Sequence, residues 1–175
     1  MSITTAKPFD TEYQAPKTKT NYFQMKEEGE YLIRILTTPS EVISYFVEFI
    51  KNSEGNFERI PTPDPGDGSI ARRPTWAFLI WNQDLQCVQI WECATKSIQD
   101  YLMTIVRSKM KNKSDWTKFD VAITRKGKTM NDTKYTFMSD ENSELSESIQ
   151  IEIANKITKI NMLSLLTTES PFIED

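Results

Sequence analysis

Residues 76–81 read Trp-Ala-Phe-Leu-Ile-Trp and residues 87–91 read Cys-Val-Gln-Ile-Trp, with the polar segment Asn82–Gln86 between them. Aromatic and branched residues favour extended backbone, and two such runs around a short polar segment are typical of a β-hairpin. A second pair of runs follows at Phe119–Thr124 and Thr133–Phe137, joined by residues 125–132. The sequence therefore predicts two antiparallel hairpins.

The regions around the hairpins add further elements. Residues 98–106 place apolar side chains at i, i+3, i+4, i+7 and i+8, which predicts a helix between the hairpins. Residues 30–36 and 40–50 are rich in β-branched and aromatic residues and predict strands, whereas residues 51–74 hold three Gly and four Pro and predict a long loop. Residues 143–166 favour a second helix.

This order of elements indicates a mainly β protein. It matches a five-stranded OB-fold Greek-key barrel with a helix between strands 3 and 4, to which a C-terminal helix is added. A β-sandwich stays an alternative, whereas a doubly wound α/β sheet would need repeated crossovers. We expect a flexible N-terminal arm at residues 1–20, the OB-fold domain at 21–140, the C-terminal helix at 141–166 and an acidic tail at 167–175.

Composition narrows the chemistry. The chain has no His, which excludes His-dependent triads and most zinc sites, and Cys87 and Cys93 are expected to be buried, reduced thiols. No apolar run is long enough to span a membrane, and residues 1–10 lack the pattern of a secretion signal. We therefore expect an intracellular protein that is not an enzyme and has no cofactor, metal or membrane partner. The sequence leaves the oligomeric state open, with self-association among the options.

Charge is unevenly distributed along the chain. Residues 72–134 carry twelve Lys or Arg against six acids, whereas residues 139–175 carry two Lys against eight acids. OB barrels bind oligonucleotides across strands 2 and 3, between the loops that join strands 1–2 and 4–5. Those loops would be residues 51–74 and 125–132. Both are rich in cations, and the strands between them are rich in aromatic residues.

These features predict a site for single-stranded nucleic acid, because bases stack on aromatic rings and phosphates attract cations. Strand alternation assigns some of the aromatic rings to the core, and the sequence leaves open which ones. The predicted DNA-binding residues are Arg59, Arg72, Arg73, Trp76, Phe78, Trp81, Gln89, Trp91, Arg125, Lys126, Lys128 and Lys134.

Several stretches resemble a family of single-stranded DNA-binding proteins of tailed bacteriophages. The similar blocks are residues 21–36, residues 73–81, and residues 116–127 together with residues 132–135. The resemblance implies an OB fold that coats exposed strands, without sequence preference, during phage DNA replication, recombination and repair in the cytoplasm of an infected bacterial host. It also implies that the acidic tail recruits replication or recombination proteins and competes with DNA for the basic groove. The partner-binding residues would be Pro171, Phe172, Ile173, Glu174 and Asp175.

Three alternatives remain at this point. The groove could bind a peptide or a replication subunit, which would make the chain a protein-recruiting OB module. It could instead bind RNA. An enzyme is the weakest alternative, because Asp64 and Asp67 lie in a Pro- and Gly-rich stretch typical of turns and the sequence has no phosphate-binding loop or nucleophile motif.

Overall fold

The computed structural model describes residues 20–111, 115–129, 131–141, 144–167 and 169–173, and within them the chain folds around one antiparallel sheet. Its strands are β1 (Gly29–Ile35), β2 (Ile43–Lys51), β3 (Phe57–Thr62), β4 (Arg72–Asn82), β5 (Cys87–Cys93), β6 (Phe119–Lys126) and β7 (Lys134–Glu141). The helices are α1 (Lys96–Lys111) and α2 (Glu147–Ile157), with short 3-10 helices at Pro39–Glu41, Trp116–Lys118 and Met162–Leu166. Neither α1 nor α2 in the described part is long and apolar enough to cross a membrane.

The long strand β4 lies at the centre of the sheet. One edge of β4 pairs with β2 through residues 72–77 and with β1 through residues 80–82, and its other edge pairs with β5. Strand β1 also pairs with β6, which pairs with β7, and β3 extends the sheet beyond β2. The sheet therefore runs β3-β2-β4-β1-β6-β7, with β5 as a branch on β4.

Each face of the sheet carries its own apolar core. The face that we call inner packs against Ile98, Leu102 and Ile105 of α1. The opposite face, which we call outer, packs against Ile153 of α2 and Leu165 of the last 3-10 helix. Because β4 is covered on both sides, residues 77–82 are all buried, and residues 77–81 are apolar without alternating polar residues.

Both predicted hairpins are confirmed, as β4–β5 and β6–β7, and so is the helix between them. Two boundaries were wrong. The predicted loop 51–74 contains β3, because residues 52–56 form a turn in which Gly55 has a φ of 85° and the Asn52 side chain accepts the Asn56 amide at 2.9 Å. The predicted helix 143–166 ends at Ile157, where the Thr158 hydroxyl bonds to the Asn155 carbonyl at 2.8 Å and competes with helical bonding.

The barrel prediction is borne out only at a coarse level. The protein is mainly β, with seven strands in the described residues arranged as an open antiparallel sheet rather than a closed five-stranded barrel. The free edge of β5 meets the chain before β1, because Ile90 exchanges backbone hydrogen bonds with Asn21 and Phe23. The predicted N-terminal arm lies outside the described residues except for Thr20, whose carbonyl accepts a hydrogen bond from Gln89.

Candidate nucleic-acid interface

The aromatic residues predicted on the strands lie mostly in the core. Phe78 and Trp91 are buried on the inner face, where their rings meet edge to face with centroids 5.2 Å apart. Gln89 is also buried there and accepts a hydrogen bond from Asn82 at 2.8 Å. Trp81 faces outward but is buried in the outer core, and Trp76 is half-buried near α1. Phe78, Trp81, Gln89 and Trp91 therefore belong to the core and offer no face to a base in this conformation, whereas Trp76 is partly exposed.

The two neighbouring arginines of β4 lie on opposite faces of the sheet. Arg72 is opposite Glu48 of β2 in the register, and its Nε donates to Glu48 Oε2 at 3.1 Å. Arg73 is on the outer face, where its guanidinium carbon lies 5.5 Å from the centroid of the Phe49 ring. Both residues fall in the predicted loop 51–74, and the sequence predicts the same role for both. Side chains alternate between the two faces of a strand, so Arg72 and Arg73 point in opposite directions. Arg72 therefore faces Glu48 and forms a structural ion pair with it.

An exposed surface of aromatic and cationic side chains continues the outer face onto β2 and β3. In the strand register Phe49 is opposite Arg59, and Lys51 is opposite Phe57, so all four share this face with Arg73. Phe57 is 72% exposed and Phe49 is 45% exposed. Strands β2 and β3 form an arm of the sheet that is unrelated to the predicted N-terminal arm. We therefore call Phe49, Lys51, Phe57, Arg59 and Arg73 the arm patch.

Arg59 takes part in a hydrogen-bonded cluster beside the arm patch. Its guanidinium donates to the Tyr45 hydroxyl at 3.0 Å and to the Glu92 carboxylate, which also accepts from the Tyr45 hydroxyl. Burial, together with the hydrogen bond to Glu92, raises the pKa of Tyr45 well above its ordinary value. Tyr45 therefore stays protonated as a donor to Glu92 throughout the physiological pH range.

The second group of predicted cations is on β6, β7 and the turn between them. Lys126 and Lys134 are exposed and directly opposite each other, on the outer face by register, and Lys128 is exposed in the turn. Arg125 has a structural role instead, since its Nη1 donates to the Lys26 carbonyl at 2.6 Å and ties two turns together. Three of these four cations are thus available to solvent.

The described residues after position 143, which we call the C-terminal segment, pack on the outer face. In the order of the strands, this segment lies between the arm patch on one side and the cations of β6 and β7 on the other. It packs over four buried residues of β4 and β5, namely Leu79, Trp81, Val88 and Ile90. This packing buries the middle of the outer face. An OB barrel, the fold that the sequence predicts, binds oligonucleotides across its strands 2 and 3.

The predicted partner-binding tail belongs to this covering layer as far as it is described. Pro171 is buried, and its carbonyl accepts a hydrogen bond from the Asn161 amide at 2.7 Å. Phe172 pairs with Ile160 in an isolated bridge and packs edge to face on Tyr22, with ring centroids 5.6 Å apart. Ile173 is exposed, and Glu174 and Asp175 lie outside the described residues. Pro171 and Phe172 therefore do not form a protruding tip in this structure.

Sequence reasoning missed Phe49 and Phe57 as candidate stacking residues. The available signal was the pair of short extended runs around Asn52–Asn56, which predicts a hairpin and places Phe49 and Arg59 on a common face. Proline residues nearby favoured a loop instead. Comparisons of the chain with protein-family models, with curated proteins and with solved structures found no match.

Proposed function

We propose that this protein binds single-stranded DNA without sequence preference and that the arm patch is the part of the interface accessible in the free protein. The observation that carries the proposal is the exposure of Phe49 and Phe57 on the same face as Lys51, Arg59 and Arg73. Bases of any identity stack on aromatic rings, while cations beside the rings attract the phosphates. Phe49 and Phe57 are diagonal neighbours in the register of β2 and β3, so consecutive bases of one strand could reach both rings.

The arrangement of the strands supports an OB fold as the finer description. β1 is shared by two hairpins, β4–β5 and β6–β7, and a helix connects the hairpins, which is the element order of an OB barrel. In this proposal β1 and β2 together act as the bent first strand, β3 is an addition at the rim, and the barrel is open between β5 and β7. The biological role would be that of the bacteriophage family which the sequence resembles, with replication or recombination proteins as partners of the tail.

Binding to oligo-dT at several salt concentrations tests the proposal. Each phosphate neutralised on a single strand contributes about −0.7 to the slope of log affinity against log salt. The three cations of the arm patch predict a slope of about −2, and Lys126 and Lys134 would bring it to about −3.5. Equal affinity for duplex DNA, or a slope near zero, would contradict the proposal.

A matched pair of double variants tests the arm patch itself. Replacing Phe49 and Phe57 by Ala should weaken oligo-dT binding, since loss of stacking costs about 1–3 kcal/mol per base. Replacing Ile50 and Ile60 by Ala is the control, because these residues are exposed on the opposite face of the same two strands. Equal affinities of the two variants would show that the nucleic acid binds elsewhere.

The alternatives give different results in the same assays. An RNA-binding module would bind RNA more tightly than DNA of the same sequence. A protein-recruiting module would show no salt-dependent binding to either nucleic acid. The arm patch favours nucleic acid over a peptide because three of its five side chains are cations.

A further inference from the structure

Glu92 is a carboxylate next to the arm patch, whose five members are all aromatic or cationic. It lies opposite Ala77 of β4, next to the position where Thr75 is opposite Tyr45. Ala77 and Thr75 are small, so side chains from β2, β3 and β5 can meet above β4. There the carboxylate of Glu92 accepts hydrogen bonds from Tyr45 and Arg59.

The ion pair between Arg59 and Glu92 is only partly shielded from water. The two side chains retain 37% and 22% of their exposure. Ion pairs this open to solvent are weak, and a phosphate offers a guanidinium an equally good charge-assisted partner. If Arg59 turned away, Glu92 would keep the hydrogen bond from Tyr45, so its half-buried carboxylate would still have a hydrogen-bond donor.

We infer that Glu92 is an internal competitor of DNA for Arg59. In the free protein Glu92 holds the guanidinium, and on binding a phosphate of the strand takes the place of Glu92. This inference rests on the proposed function. It means that Glu92 lowers the affinity of the arm patch for single-stranded DNA by competing for Arg59. A carboxylate at this position lowers the affinity for all sequences alike, because phosphate contacts carry no sequence information.

The variant Glu92→Gln tests the inference. The amide still accepts from Tyr45 but no longer attracts Arg59 by charge or repels phosphate. Affinity for oligo-dT should rise about two- to fivefold at low salt, and the gain should shrink as salt screens these interactions. The control is Glu58→Gln, which removes the same charge from an exposed position facing the other side of β3. Unchanged affinity for Glu92→Gln would overturn the inference, because Glu92 would then not compete with the strand. Lower affinity would also overturn it, because Glu92 would then be orienting Arg59 for the strand.

A double variant identifies the route of the effect. In the background Arg59→Gln, the gain from Glu92→Gln should largely disappear. A full gain in that background would overturn the inference in favour of a general charge effect. If Glu92→Gln does not fold, Glu92→Asp replaces it, since one methylene less weakens the contact with Arg59. A partial gain is then expected, and no gain overturns the inference.

The outcomes for the inference and for the proposed function are distinguishable. If the wild-type protein does not bind oligo-dT, the proposed function fails and the inference fails with it. If the wild-type protein binds with the expected salt slope but Glu92→Gln shows no gain, only the inference fails.

Discussion

The attachment of α2 to the sheet can be weakened by one substitution, Ile153→Ala. Ile153 is the buried residue of this helix, with 9% exposure, whereas Ile151 in the same helix is 55% exposed. Ile149 and Ile157 also pack on the outer core but are only partly buried, and clefts of about 520 and 590 Å³ lie along the helix. The variant Ile151→Ala is a matched control, because it makes the same chemical change without affecting a buried contact.

The expected magnitude follows from the burial of Ile153. Replacing a buried Ile by Ala costs about 2–5 kcal/mol, and the open clefts argue for the lower end of that range. About 2 kcal/mol corresponds to a roughly 30-fold larger population of the detached helix. Native-state hydrogen exchange measures this directly, since the hydrogen-bonded amides of residues 150–157 should exchange roughly 30-fold faster while those of β4 and β5 do not change.

Detachment of α2 also uncovers part of the outer face. Oligo-dT affinity of Ile153→Ala should therefore rise, and the gain should persist at high salt because the contacts that are lost are apolar. Competition by tail charge alone would instead fade with salt. Equal acceleration of exchange in α2 and in β4 would refute the reasoning, since the helix and sheet would then open as one unit. Faster exchange in α2 with unchanged DNA affinity would show that the segment does not obstruct the interface.

Three further predictions concern the rest of the fold. Trp81→Ala should destabilise the protein by about 3–5 kcal/mol, because Trp81 is buried in the outer core, and a melting temperature within about 2 °C of wild type would contradict its assignment to the core. Gly127→Ala should also lower the melting temperature, since Gly127 has a φ of 100° and an added Cβ would lie 2.4 Å from the Asp132 carbonyl oxygen; unchanged stability would mean that the turn can relax. Burial raises the pKa of the Cys93 thiol to about 12, so mass spectrometry should detect maleimide on Cys93 only after unfolding, and rapid labelling of the native protein would contradict its burial.

Local sequence determined the elements and their order. The hairpins β4–β5 and β6–β7 follow from apolar runs around short polar segments, and α1 follows from the stripe at residues 98–106, because these signals depend on neighbours in the chain. The run at residues 76–81 also lacks alternating polar residues, which indicates a strand covered on both faces. A strand that is covered on both faces buries all its side chains. The sequence of this run therefore already indicates that Phe78 and Trp81 are not exposed for stacking.

Only the tertiary structure decided which side of each strand is accessible. Alternation separates Arg72 from Arg73, but the sequence does not say which of them faces Glu48 and which reaches Phe49. Phe49 is exposed because the C-terminal segment covers the middle of the outer face but not Phe49. Pro171 is buried because it belongs to that covering segment. These outcomes arise from contacts between residues far apart in the chain, which compete for the same apolar surface. Local propensity therefore predicted the strands other than β3, and long-range packing selected the residues that a partner can reach.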